Sequence, residues 1–193
     1  LHDVVLVGND TGGAVAQLVA VTDPSRLGAL VLVSCDAFDN VPPGLTGRTI
    51  VALGRLAPSL FGLFMQQMRI KPVRRLPMSF GRLTRRGDAV VRGWLDPVLH
   101  DAAIRRDTVR CLRAIGADRE VLTRITDRLG RIGRPALVVW AEDDKVMPPE
   151  HGERLSTLLD APLVVVADSA TLVPLDQPAA LATAIRSFVG VRS

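Results

Sequence analysis

The stretch VVLVGNDTGGAVAQ, residues 4–17, constrains the fold of this chain more than any other feature. Its apolar, β-branched run ends at Gly8 and predicts a buried strand over residues 3–8. A polar break with further glycines follows, and residues 11–21 are rich in Ala, Val and Gln, which predicts a helix. A buried strand that leads through a glycine-rich turn directly into a helix indicates a parallel sheet covered by helices.

The same alternation of strands and helices resumes later in the chain. Continuous apolar runs predict further buried strands over residues 29–34, 136–140 and 162–167. The segments after the last two runs predict helices over residues 149–159 and 178–189. Apolar strands separated by helices indicate an α/β fold with a mostly parallel sheet and both of its faces covered.

A helical block separates the two parts of the predicted sheet. From about residue 45 to residue 131, strand signals vanish and apolar residues recur at helical spacing, interrupted by prolines. The clearest predicted helices are residues 101–114 and 118–130. We therefore assign residues 1–41 and 132–193 to an α/β core and residues 42–131 to a helical cap.

Composition limits the cellular setting of the chain. Its 193 residues are 48% hydrophobic, which is enough for one domain with a core. No apolar run reaches the roughly 18–20 residues of a membrane span, and no signal peptide opens the chain. Neither Cys35 nor Cys111 stands in a CxxC pattern and the three histidines are scattered, so we expect a cytoplasmic protein without a metal site. The first residue is Leu rather than Met, and we expect an N-terminal part that is absent from this sequence.

Basic residues are concentrated in the predicted cap. Residues 69–134 hold 16 arginines and Lys71 against seven acidic residues. Such a segment can attract anions, although solvated helix faces are the simpler explanation. It lacks the interleaved aromatic residues that stack on bases. We therefore expect no nucleic-acid or membrane partner, and a homo-oligomer stays open.

Asp10 stands at the centre of the break after the first strand. Residues 8–12 match the G-x-nucleophile-x-G pattern of a sharp strand-to-helix turn, whose central residue is strained and whose close packing favours glycine two positions before and after it. The helix that begins at Thr11 offers free N–H groups to a developing anion. A helix N-cap is the alternative role of Asp10, but a cap does not require glycine on both sides. We interpret Asp10 as a nucleophile, with Asn9 and Thr11 as its oxyanion and pocket neighbours.

On these residues the chain resembles the α/β-hydrolase superfamily, and within it the branch with an aspartate nucleophile. That branch includes haloalkane dehalogenases, fluoroacetate dehalogenases and epoxide hydrolases. The resemblance continues through WLDPVLHDAAIRRD in the cap, PALVVWAEDDKVMPPEHGERL at an acid loop and LVPLDQPAALATAIRSF at the C-terminal helix. It implies the α/β-hydrolase fold, a mostly parallel sheet flanked by helices with a helical cap insertion, whose earlier strands lie outside this sequence.

The resemblance also implies a small-molecule substrate, no cofactor and a two-step reaction. A carboxylate displaces a leaving group at a saturated carbon and forms an ester on the enzyme. A water activated by histidine then hydrolyses that ester, and an acid orients the histidine. By this resemblance the acid is Asp144, for which a turn residue before Pro148 is the alternative. Asp36 is a second candidate for the acid, because some family members carry it after the preceding strand, and a turn residue is again the alternative.

The histidine of this scheme is missing from its expected position. Counting back from the PLDQP motif places Thr171 there, and the hydroxyl of threonine is not basic at neutral pH. His151 begins a predicted helix, where we expect a surface role, and neither His2 nor His100 is a better base.

Substrate signals are incomplete in this sequence. Thr11 follows the nucleophile where the resemblance implies Trp in haloalkane dehalogenases and Arg in fluoroacetate dehalogenases. Trp94 in the cap is a candidate pocket donor, with a role in the helix core as its alternative. The chain has no Tyr, which argues against epoxide opening by cap tyrosines. Two hypotheses follow: a hydrolase that uses Asp10, or a catalytically impaired relative that binds a ligand or partner.

Overall fold

A four-stranded parallel sheet organises the computed structural model, which describes residues 1–56, 58–76, 79–115 and 117–190. Its strands lie in the order β1 (Val4–Asp10), β2 (Leu27–Cys35), β3 (Ala136–Ala141) and β4 (Leu163–Val166). Neighbouring strands are parallel throughout. β2 and β3 are buried along their whole length, because helices cover both faces of the sheet. The predicted parallel sheet is confirmed, with small shifts at the strand ends.

Helices fill the segments between and after the strands. They are α1 (Thr11–Thr22), α2 (Gly44–Leu56), α3 (Pro58–Gln67), α4 (Lys71–Arg74), α5 (Asp88–His100), α6 (Ala102–Ile115), α7 (Val121–Leu129), α8 (Pro149–Leu159), α9 (Val173–Asp176) and α10 (Pro178–Gly190). A 3₁₀ turn at Pro24–Arg26 leads into β2. None of the helices in the described part of the chain has the length and apolar character that a membrane crossing needs.

Successive side chains of β2 point to opposite faces of the sheet and pack in two separate cores. Leu30 and Leu32 point to the face covered by α1, α7 and α8, whereas Val31 and Val33 point to the face covered by α10. All four side chains are fully buried. Burying each of them contributes about 1.5–3 kcal/mol, and this burial holds the ends of the strands in a fixed register.

The cap has an apolar core of its own. Residues of α3, α5 and α6, with Phe61 and Leu95 among them, form a third cluster that is separate from the two sheet cores. α7 differs from these helices, because Leu122 and Leu129 pack with α1 in the first core. The sequence assigns α7 to a cap of residues 42–131. We propose instead that the cap ends between α6 and α7.

Candidate active site

Asp10 occupies a strained turn between β1 and α1. Its φ is 56° and its ψ is −132°, a combination that a residue with a side chain rarely adopts. Although Asp10 precedes the first residue of α1, its side chain makes no capping hydrogen bond to that helix. Helix capping therefore does not explain the residue. The turn holds the Asp10 side chain at the carboxyl end of β1.

Glycines permit this turn, although not in the way that the sequence indicates. A Cβ atom on Gly8 would lie 2.6 Å from the carbonyl oxygen of Gly12, so a side chain there would collide with backbone. On Gly13 it would lie 2.2 Å from the Cβ atom of Cys35. A Cβ atom on Gly12 would meet no atom within 4 Å. The close packing of α1 on the sheet therefore requires Gly13, one residue later than the G-x-nucleophile-x-G pattern implies.

Asp144 and Thr171 come together beside the elbow. The Thr171 hydroxyl donates a hydrogen bond of 2.8 Å to Asp144 Oδ1, and this oxygen also accepts the backbone N–H groups of Val146 and Met147 at 3.0 and 2.8 Å. Thr171 is fully buried and Asp144 is 7% exposed. Burial raises the pKa of Asp144, and these hydrogen bonds oppose the rise. The structure thus places Thr171 against the acid, where the resemblance implies a histidine.

Carboxyl groups other than Asp144 also approach the nucleophile position. Asp36 follows β2 and its backbone N–H donates to the carbonyl oxygen of Asp10 at 3.4 Å. Burial, more than any neighbouring charge, raises the pKa of Asp10, and the charge of Asp144 adds to the rise. Burial and then the charge of Asp10 raise the pKa of Asp36 to about 7. The sequence suggests these three acids separately, and the structure brings them to one edge of the sheet.

Asn9 ties the elbow to its surroundings and does not face a ligand. Its side-chain amide donates to the backbone carbonyl oxygens of Val33, Ser34 and Thr171 at 2.9, 3.2 and 2.8 Å. These bonds join the end of β1 to the end of β2 and to the loop that carries Thr171. The oxyanion or pocket role expected for the Asn9 side chain is therefore replaced by a positioning role.

A cavity of about 180 Å³ opens beside Asp10 and Thr11. Apolar side chains from the cap and the acid loop dominate its walls: Pro42, Pro43, Ile50, Val51, Phe80, Leu83, Leu112, Ile115 and Val146. Asp10 supplies its carboxylate, and Thr11 is exposed to the space. Such a cavity suits a small apolar molecule with one reactive group at the Asp10 end.

Trp94 and His151 lie elsewhere than the sequence suggests. Trp94 is 54% exposed on α5 and does not line the cavity beside Asp10, so neither the pocket role nor the core role fits it. His151 is only 9% exposed and packs edge-on against Phe38 with ring centroids 5.3 Å apart. It is a buried residue of α8 and not the surface residue expected from the sequence.

Gln17 is a supporting residue that sequence reasoning misses. Its amide nitrogen donates to the carbonyl oxygens of Asp36 at 2.7 Å and of Gly13 at 3.2 Å. A polar residue in an otherwise small and apolar helix was the available signal, and Gln17 is 2% exposed. Within the described ranges, no group of three or more His, Cys, Asp or Glu side chains is arranged to hold a metal ion.

Comparisons with known proteins support the family and the fold. Residues 1–184 match the sequence profile of the alpha/beta hydrolase family. A 2-hydroxy-6-oxononadienedioate/2-hydroxy-6-oxononatrienedioate hydrolase of Cupriavidus pinatubonensis (strain JMP 134 / LMG 1197) is 28% identical over 161 residues, which cover 80% of this chain and 50% of the relative. The chain spans about half the length of the curated relatives it matches first.

Solved structures share the fold. The 2-hydroxy-6-oxo-6-phenylhexa-2,4-dienoate hydrolase (BphD) from Rhodococcus sp. strain RHA1 superposes with a TM-score of 0.68 at 22% identity, over 95% of this chain and 62% of that protein. A serine hydrolase from the bacterium Cycloclasticus zankles gives a TM-score of 0.65 at 16% identity, over 95% and 62% of the two chains. The fold expected from the sequence is confirmed.

Proposed function

Because this chain belongs to the alpha/beta hydrolase family, we propose that it carries the nucleophile and the pocket of a hydrolase that acts on small organic molecules. The position of Asp10 is the observation that carries this proposal. Its backbone is strained, its side chain caps no helix, and it borders an apolar cavity under the cap. Strain of this kind persists where the surrounding structure holds a functional group in place.

Asp10 can perform the first step of a covalent reaction. Its carboxylate oxygen attacks a carbon of the bound molecule, a C–O bond forms, and the bond to the leaving group breaks with its electron pair. The product is an ester of Asp10. Since burial raises the pKa of Asp10, we expect attack to become faster as the pH rises through that pKa.

The relatives support hydrolysis as the class of reaction. Those named above are hydrolases of 2-hydroxy-6-oxo dienoates and dienedioates, and one structure is described as a serine hydrolase. This chain has Asp10 at the centre of the G-x-S-x-G-like turn, so we carry over hydrolysis and not the substrates of these proteins. Displacement at a saturated carbon, as in the dehalogenase-like and epoxide hydrolase-like branch, is the finer proposal. We also propose that the partner is a small-molecule substrate and that the protein is cytoplasmic.

Mass spectrometry tests the role of Asp10. The protein is incubated with bromobutane, epoxyhexane and ethyl butyrate, and intact and peptide masses are then recorded. We expect the wild type to form an adduct on the Asp10 peptide with at least one compound. Asp23→Asn should form it too, because Asp23 is exposed at the opposite end of α1 and does not line the cavity. Asp10→Asn should form none. If the wild type yields neither adduct nor product with any compound, Asp10 is not a nucleophile.

Thr171 favours a second candidate function, a ligand-binding protein that does not turn over. Its hydroxyl is committed to Asp144 and supplies no base for the release of an ester. In that case the adduct on Asp10 persists for hours and product never exceeds one equivalent. Several turnovers per molecule would exclude this second function.

A further inference from the structure

Asp36 is a buried carboxyl on the residue whose backbone N–H bonds the carbonyl oxygen of Asp10. Cys35, the last residue of β2, pairs with Asp10 in the sheet, so Asp36 emerges next to the elbow. Its side chain is 2% exposed, and among the described residues its Oδ1 atom has no hydrogen-bond partner. Buried polar atoms are usually paired, and an unpaired carboxylate oxygen at this depth is costly. The observation points to a role beyond packing.

The Thr11 hydroxyl lies at the nucleophile position, with its oxygen 3.5 Å from Asp10 Oδ1. The Gln17 amide holds the carbonyl oxygen of Asp36 at 2.7 Å, which fixes the backbone of this residue beside Asp10.

Charge couples the two carboxyls. No ion pair joins either of them to a cation in the part of the chain that the structure describes. Asp10 from β1 acts on both Asp36 and the adjacent Cys35 thiol, and Asp144 from the loop after β3 acts on Cys35. Burial, and then the charge of Asp10, therefore bring the titration of Asp36 close to neutral pH.

Formation of the ester shifts this balance. Once Asp10 is an ester it carries no charge, and the repulsion that helps Asp36 to retain its proton disappears. Burial still raises the pKa of Asp36, but this pKa falls below its value beside a charged Asp10, and a larger fraction of Asp36 releases its proton to water. The product of the first step thus increases the carboxylate fraction of Asp36, the residue that follows the sheet partner of Asp10.

We propose that Asp36 is the general base of the second step, in the role that the missing imidazole would have; this rests on the proposed function of Asp10. Water attacks the ester carbon Cγ of Asp10 and one of its protons moves to the Asp36 carboxylate. The bond between Cγ and the alkoxy oxygen breaks, and the alkoxide leaves as an alcohol with the second proton of the water. Asp10 returns as a carboxylate and Asp36 as a carboxylic acid.

Single-turnover labelling with bromobutane tests this role. We follow formation and decay of the adduct on the Asp10 peptide in wild type, in Asp36→Asn and in Asp39→Asn, an exposed neighbour in the same loop. Asp36→Asn should still form the adduct but release it at least about 100-fold more slowly, because general-base catalysis contributes about 10²–10⁴-fold. Asp39→Asn should match the wild type. In ¹⁸O-water the wild type should incorporate one label into the Asp10 carboxyl group.

The outcomes separate this inference from the function on which it rests. If the wild type forms no adduct, the proposed function fails and this inference fails with it. If the adduct forms but persists in the wild type, or decays as fast in Asp36→Asn, only the role of Asp36 is overturned. If Asp36→Asn does not fold, as judged by circular dichroism, the dependence of the wild-type release rate on pH tests the proposal. Release should rise with pH as Asp36 ionises in the ester form and then level off, and release that is independent of pH would overturn the proposal.

Discussion

Strain at a single residue, Asp10, links the stability of this chain to its chemistry. The position is one that glycine would adopt without cost, yet the chain places a carboxylate there. The cost of such a backbone is about 1–3 kcal/mol, and burial of the carboxyl adds to it. Strain and burial at one position support the covalent role that we propose for Asp10.

Replacing Asp10 with glycine should therefore stabilise the protein while it abolishes the adduct. We expect Asp10→Gly to raise the free energy of unfolding by about 1 kcal/mol, since relief of strain exceeds the entropy that glycine adds to the unfolded chain. Urea unfolding monitored by circular dichroism measures this change. The control is Asp23→Gly, where φ is −143° and the side chain accepts the Ser25 N–H, so no gain should appear. A loss of stability in Asp10→Gly would contradict the strain argument.

Residues also show where sequence reasoning succeeds and fails. The strained turn at Asp10 can be predicted because its glycines are local. The position of Thr171 against Asp144 can be predicted because it lies at a countable distance from a motif. The role of Asn9 cannot be predicted in this way. Its amide bonds the carbonyl oxygen of Thr171, 162 positions along the chain, and only the folded sheet brings the two together.

At the scale of elements, the contact of α1 with the sheet fixes the elbow. The helix approaches β2 so closely that Gly13 lies directly against Cys35, while Gly12 faces open space. The strands can be predicted from the sequence because burial on both faces makes them continuously apolar. The cap boundary that we propose, between α6 and α7, cannot be predicted in this way. The periodicity of α7 shows an apolar face without showing that this face packs on α1.

Two neighbouring alanine substitutions test this contact. Gly13→Ala would place its Cβ atom 2.2 Å from the Cβ atom of Cys35, and we expect a loss of about 1–3 kcal/mol in the free energy of unfolding from overpacking. Gly12→Ala meets no atom within 4 Å and replaces glycine in the first turn of a helix, so it should be neutral or slightly stabilising. Chemical denaturation of both variants measures the difference. Equal effects would mean that the spacing of α1 from the sheet is not what requires glycine.

At the scale of the whole molecule, one short segment joins the cap to the loops that carry the site. The Arg85 side chain pairs with Asp143, next to Asp144, and with Asp168, in the loop that leads to Thr171. The backbone N–H of Arg85 also donates to both carboxylate oxygens of Asp176 at 2.9 and 3.0 Å. These contacts hold the segment between α4 and α5 over the polar edge of the sheet.

Breaking the Arg85 pairs should loosen the cap without unfolding the protein. Exposed ion pairs contribute little to global stability, so we expect Arg85→Gln to change the free energy of unfolding by less than about 1 kcal/mol. Hydrogen exchange of residues 79–100 should nevertheless become several-fold faster, because local opening depends on the few contacts that hold a segment. Exchange mass spectrometry measures this change, and high salt should reproduce part of it in the wild type. The matched control is Arg110→Gln, whose partner Asp107 lies on the same helix. If both variants exchange alike, the Arg85 contacts do not restrain the cap, and access to Asp10 must be controlled elsewhere.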